Sequence, residues 1–362
     1  MATRCIRCEA PFEEPPVGRL CPTCRVKLRV LLAGRPGVPS RQTHGRQSLF
    51  ACVLVLTLAV SSALLGLTLL APGVAPAHAI GHWEVIAGQK GQPVQFISPV
   101  GMAADHAGNL YVADASTHHV HKLAPDGSAI GLFGQRGGGP GQFERPSAIA
   151  LDLLDNMYVA DVATSRIQKL SSAGEPLAQW GSLGSGPGQF NGPRGLAIDA
   201  EGNLYVSDTG NDRLQKLAPD GQVLAIWGRD GMGPGDFRQP YGIAVDASGA
   251  IYVADHWNNR IQKLSPTGQP LAEWGSFGWA PGLFNNPRDL VVDAHGNIFV
   301  SDSYNHRIQE LSPNGVPVAE WGGRGGEPGQ FRRPEGLVVI EDGAMFVVDA
   351  DNGRLQHFIP TP

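Results

Sequence analysis

Residues 240–275 read PYGIAVDASGAIYVADHWNNRIQKLSPTGQPLAEWG. Four short runs rich in β-branched and aromatic residues, GIAVD, AIYVAD, RIQKL and LAEWG, lie within this stretch. Turn signals such as Ala247-Ser248-Gly249 and Pro266-Thr267-Gly268 separate them. Runs of this length and composition, bounded by Gly, Pro and Ser, predict four short antiparallel strands.

The same unit recurs on both sides. Asp114, Asp161, Asp208, Asp255, Asp302 and Asp349 follow one another at a constant spacing of 47 residues. Each ends an apolar run: LYVAD, MYVAD, LYVSD, IYVAD, IFVSD, MFVVD. Five positions later stand Arg166, Arg213, Arg260, Arg307 and Arg354, with His119 in the first unit. Units open at Pro99, Pro146, Pro193, Pro240, Pro287 and Pro334, and five close on an aromatic-Gly pair such as Trp274-Gly275. Four strands per 47 residues, six times over, predict an all-β fold: a six-bladed β-propeller of four-stranded blades. A solenoid would use shorter repeats with fewer strands. The sixth unit stops at Phe358, before its fourth strand. The segment Trp83–Gly88, just upstream of the first unit, is expected to supply it and so remove both free edges of the ring.

These residues carry a resemblance. Residues 240–246, 251–255 and 258–264 look like the NHL repeat, a six-bladed propeller family, and the likeness extends over about residues 83–362. It implies a fold and not a function, because function resides in sites grafted on the scaffold. Some animal NHL proteins bind RNA, which requires a basic face. Propellers of this kind also include peptidyl-hydroxyglycine amidating lyases, which hold zinc by channel histidines, together with lactonases and streptogramin-type lyases. The inner-strand runs here contain no His, and His118 and His306, which share a loop offset, fall two blades apart.

Composition agrees with the fold. The chain has 362 residues, with 48 Gly and 29 Pro, a density that breaks long helices. Hydrophobic residues make up 42%, too many for a disordered chain. The net charge of −5 conceals an asymmetry. Residues 1–79 hold nine Lys/Arg and three Asp/Glu; residues 80–362 hold nineteen and thirty, a balance of −11. No nucleic-acid partner is therefore expected for the propeller.

Ahead of the repeats the chain reads differently. Cys5-x-x-Cys8 and Cys21-x-x-Cys24 form two pairs, the pattern of a four-thiolate structural zinc site in a zinc-ribbon-like module over residues 1–33. Residues 34–48 form a basic linker. Residues 49–71, LFACVLVLTLAVSSALLGLTLLA, carry no charge and reach about 34 Å as a helix, enough to cross a bilayer. Arg35, Arg41 and Arg46 precede this predicted transmembrane helix, and the 15 residues after it hold no Lys or Arg. The positive-inside rule then places the N-terminus in the cytoplasm and the propeller, after a linker over 72–82, outside. Ala77-His78-Ala79 fits a small-x-small cleavage signal, and cleavage there would release the propeller.

The repeated Asp and Arg are read as structural, since catalysis needs a group once and these recur in almost every unit. Residues that break the repeat are the informative ones. Strand alternation puts the loops after each Asp and those before each Pro on one face. His118, His256, Trp257 and Tyr304 are the odd residues in the first set, and Arg194, Tyr241, Arg288 and Glu335 stand just after the Pro. Aromatics with Arg at a channel mouth suit a protein, peptide, glycan or anionic small-molecule ligand. The expected function is a membrane-anchored binding or sensor scaffold; the alternative is a metal-dependent lyase or hydrolase using the channel.

Overall fold

The computed structural model describes residues 81–361, apart from 90, 341 and 342, and a two-residue antiparallel ladder that pairs Thr3–Arg4 with Pro11–Phe12. Cys5, Cys8, Cys21, Cys24 and the 49–71 segment lie outside the described residues. No helix among the described residues is long and apolar enough to cross a membrane. The chain divides into two units, Met1–Pro72 and Gly73–Pro362.

The second unit is a six-bladed propeller of four-stranded antiparallel blades. In the fourth blade the strands are Pro240–Val245, Ile251–Asp255, Arg260–Leu264 and Pro270–Trp274, in that order from axis to rim. Each inner strand packs on the next, and the last, Pro334–Val339, returns to the first, Pro99–Ala104. The second strands, such as Ile251–Asp255, are buried at every position, which is why they read as continuous apolar runs. Outer strands alternate between exposed and half-buried residues, as one-sided strands do.

The ring closes as expected. Gly81–Ala87 pairs with Arg354–Pro360 as the outer strand of the last blade. It begins at Gly81, two residues before Trp83, because the third strand of that blade runs past Phe358 to Pro360 and pairs with Gly81 and His82. Trp83 packs its ring on Phe331 and Phe358, at 5.1 and 5.2 Å between centroids.

The repeated polar residues hold the loops. In the fourth blade Asp255 Oδ1 accepts the N–H of Arg238, in the loop arriving from the third blade, at 2.8 Å. Its Oδ2 accepts Arg260 Nε at 2.8 Å and Gln262 Nε2 at 3.0 Å. Arg260 in turn donates to the carbonyls of Met232, Gly233 and Asp236 in that same loop. The Asp–Arg pair recurs at 2.7 to 2.8 Å in blades three, five and six and loosens to 3.9 Å at Asp161–Arg166. Each such carboxylate is buried, so its satisfaction by several donors is a requirement of folding.

One glycine per blade is also forced. Gly275 has φ +93°, and a Cβ there would meet the Phe284 ring at 2.4 Å. Only glycine tolerates both the left-handed backbone and the stacked ring. The aromatic-Gly pair seen in the sequence is therefore where the chain turns from rim back towards axis.

Candidate functional site

The residue following each opening proline forms a collar around one mouth of the central channel. In ring order the collar reads Val100, Ser147, Arg194, Tyr241, Arg288, Glu335. All six line one cavity of about 360 Å³. Below the collar the walls are apolar, with Met102, Ile149, Leu196, Ile243, Leu290 and Leu337 contributed one per blade. The volume falls within the range of small-molecule pockets.

Two guanidinium groups converge on one ring. Arg194 Cζ lies 4.9 Å and Arg288 Cζ 5.4 Å from the Tyr241 centroid, within cation–π reach. Arg288 is anchored: its Nη1 donates to Glu335 Oε1 at 2.5 Å, and Arg333 Nη1 lies 2.7 Å from the same oxygen. Arg288 Nε is buried without a hydrogen-bond partner. Arg194 makes no ion pair among the described residues. Burial lowers its pKa from the ordinary arginine value, with repulsion from Arg145 and Arg288 adding to the effect.

His256 supports this group from behind. It is buried and stacks on Tyr241 at 4.1 Å between centroids. Its Nδ1 lies 3.1 Å from the Pro287 carbonyl, so Nδ1 carries the proton and donates into the next blade. Thr209 and Ser303, at the same repeat offset, donate to the Pro240 and Pro334 carbonyls. Burial, with Arg288 and Arg194 adding to it, pushes the His256 pKa down to about 3, so its ring is neutral.

The other predicted residues sit further out. Trp257 and Tyr304 lie on the same face with 57% and 49% of their surface exposed, and Arg288 reaches to 6.0 Å from the Tyr304 ring. His118 is not at the channel. It occupies the left-handed position after the first blade's second strand (φ 65°), and its Nδ1 lies 2.8 Å from the Glu144 carbonyl. At the same offset Asp212, Asn259 and His306 instead accept the backbone N–H of Gln239, Asn286 and Arg333, so in either direction this position ties neighbouring blades together. The structure thus brings together Arg194, Tyr241, Arg288, Glu335 and His256, keeps Trp257 and Tyr304 on the rim, and sets His118 apart.

Sequence reasoning missed Asp289. Two positions after the opening proline the blades carry Gly101, Ala148, Gly195, Gly242, Asp289 and Gly336. Neighbouring backbones approach closely here: a Cβ on Gly195 would meet the Tyr241 carbonyl at 2.0 Å. Asp289 is the one carboxylate in this ring. It lines the cavity and accepts the Leu337 N–H from the adjacent inner strand at 3.1 Å. Enclosure within the channel pushes its pKa up to about 7, with Glu335 adding to the rise. Aligning the six units column by column exposes it as the exception.

Among the described residues no group of three or more His, Cys, Asp or Glu side chains could hold a metal. The channel presents Asp289 and Glu335, the latter already ion-paired, so a channel zinc site of the His-rich kind does not fit these side chains.

Comparison with known proteins agrees with the geometry. Residues 190–217, 237–264 and 284–311 match the NHL repeat, so the propeller carries NHL repeats. No curated protein sequence matches the chain. Among solved structures the chain is similar in fold to a gluconolactonase from Xanthomonas campestris (14% identity, TM-score 0.60, 80% of this chain and 94% of that one). It is similar also to virginiamycin B lyase from Staphylococcus aureus (13%, TM-score 0.54, 76% and 97%). A third is an auxiliary nutrient binding protein from Bacteroides ovatus (16%, TM-score 0.56, 77% and 73%). At these identities the likeness is one of fold.

Proposed function

We propose that the chain is a membrane-anchored binding scaffold. In this reading the Cys5, Cys8, Cys21, Cys24 module holds a structural zinc ion on the cytoplasmic side, residues 49–71 cross the membrane once, and the propeller takes its ligand outside the membrane. The observation that carries the binding role is the collar. Two arginines flank Tyr241 over an apolar-walled cavity, and one of them, Arg194, has no carboxylate partner among the described residues. A half-buried cation without an acid is costly to keep, and a ligand supplying its partner offsets that cost. The lyase or hydrolase alternative needs a channel metal, and the channel side chains do not supply a ligand set for one.

The test is native mass spectrometry of the full-length protein purified from its own cells. The wild type is expected to retain a ligand that a Trp257→Ala/Arg194→Gln double variant, equally folded by circular dichroism, does not. Identical retained species in both proteins would refute the collar as the binding site.

A further inference from the structure

The collar's charge narrows the ligand's chemistry. We propose that the channel mouth captures a carboxylate carried on an apolar body, with the carboxylate on Arg194 and the body lying in the channel. This inference rests on the binding reading of the same site and adds the ligand class to it.

Four features lead there. First, the two guanidinium carbons lie 4.9 and 5.4 Å from the centroid of the ring they flank, so the channel mouth is cationic on both sides of Tyr241. A carboxylate has two oxygens that accept charge-assisted N–H···O bonds of about 2.8 Å from a planar guanidinium, which makes it the fitting partner for an arginine without an acid. Second, donors are left over. Arg194 makes no ion pair among the described residues, and Arg288 Nε is buried without a partner although its Nη1 is committed to Glu335. Third, the charge is placed against the background. The propeller sequence is acidic overall, and Asp105, Asp152 and Asp199 line a cavity among the turns at the opposite ends of the inner strands. Those three carboxylates pair with Lys122, Lys169 and Lys216 at 3.0 to 3.2 Å, so the charge that an anionic head meets without a partner is that of Arg194. Fourth, the wall beneath the collar is built from Ile149, Leu196, Ile243 and Leu337, with room for a body of several carbons.

Glu335 does not cancel the site. Its carboxylate is shared between Arg288 and Arg333, and Arg333 also pairs with Asp351 at 2.6 Å. Two arginines and two carboxylates there balance one another, and Arg194 is left without an acid among the described residues.

A carboxylate on an apolar body can come from a free organic acid or from the C-terminus of a peptide. Isothermal titration of the full-length protein with octanoate and 3-phenylpropionate, with their amides, and with Ala-Leu-Phe bearing a free or amidated C-terminus separates these sources. At least one acid is expected to bind tenfold or more tightly than its own amide. Arg194→Gln should remove that difference, and Arg229→Gln, an exposed arginine paired with Asp236 away from the collar, should leave it intact. Tighter binding of the free acids alone assigns the site to small molecules, and of the free-terminus peptide alone to peptides. Equal affinity for acid and amide overturns the carboxylate assignment while leaving the collar a binding site. If no probe binds, the carboxylate assignment also falls. The binding reading then stands or falls separately on the species retained in native mass spectrometry.

Discussion

Replacing Asp289 by Asn should make the protein's stability less sensitive to pH, by an amount that can be worked from the site. The carboxyl has a folded-state pKa of about 7 because it is enclosed in the channel wall, whereas in an unfolded chain it titrates near 3.9. Between pH 4 and 7 the folded protein therefore holds a proton that the unfolded chain has released. Stability from this group is fully present below about pH 4 and is lost as the pH rises through 7. Three pKa units at about 1.36 kcal/mol each set a ceiling of about 4 kcal/mol, and the partial access of the carboxyl to the cavity brings the expected figure to about 2–4 kcal/mol. Asn cannot ionise, and its amide oxygen can still accept the Leu337 N–H that Asp289 accepts now. The variant should match the wild type near pH 4 and exceed it by about 2–4 kcal/mol at pH 8. Urea denaturation of both full-length proteins at pH 4.5, 6, 7 and 8 measures this. Asp255 and Asp302, whose pKa values burial also raises, are common to both proteins and cancel in the difference. Parallel stability curves across that range would refute the account of Asp289 as an enclosed, protonatable wall residue.

Three further outcomes are expected. Asp255→Ala strands Arg260, Gln262 and the Arg238 N–H without their shared acceptor, and should cost about 3–5 kcal/mol in a denaturation experiment, as breaking a buried ion pair does. Trp83→Ala removes the ring that seals the outer strand of the last blade onto Phe331 and Phe358. It should cost about 2–3 kcal/mol, read as a lowered thermal midpoint, and an unchanged midpoint would mean that closure does not depend on that strand. Elemental analysis of the full-length protein should find one zinc per chain, lost in a Cys5→Ser/Cys24→Ser variant; zinc-free wild type would remove the proposed metal module.

The architecture was legible because the repeat exposes it. A constant spacing of 47 residues between Asp114 and Asp349 permits only one unit per blade, and the absence of a fourth run after Phe358 called for a strand from the start of the ring. The strand at Gly81–Ala87 supplies it. The collar was legible for the same reason: Arg194, Tyr241, Arg288 and Glu335 break a column that elsewhere carries Val or Ser. What remained hidden depended on register in space. His118 and His256 look alike as odd histidines in equivalent loops, yet they stand three positions apart within the loop. One offset points His256 beneath Tyr241, while the other places His118 in the left-handed turn that ties blade to blade. Reading each loop for unusual residues, without aligning it to its five counterparts, cannot separate the two.

Asp289 carries that point to the chemistry. A side chain in its column has almost no room, because neighbouring inner strands touch backbone to backbone at that level: a Cβ on Gly101 would meet the Ser147 carbonyl at 2.2 Å, and one on Gly242 would meet Asp289 itself. Propeller stability alone favours glycine there, and four of the six blades have it. A carboxyl held in the wall one residue from the Arg288 anchor, at a cost that grows with pH, opposes the stability of the ring. Stability is surrendered in this way where a site requires it. The same blade that supplies the paired arginine of the collar supplies the acid beneath it, so the departures from the repeat converge on one mouth of one channel. That convergence, and not the propeller itself, is what the proposed ligand site rests on.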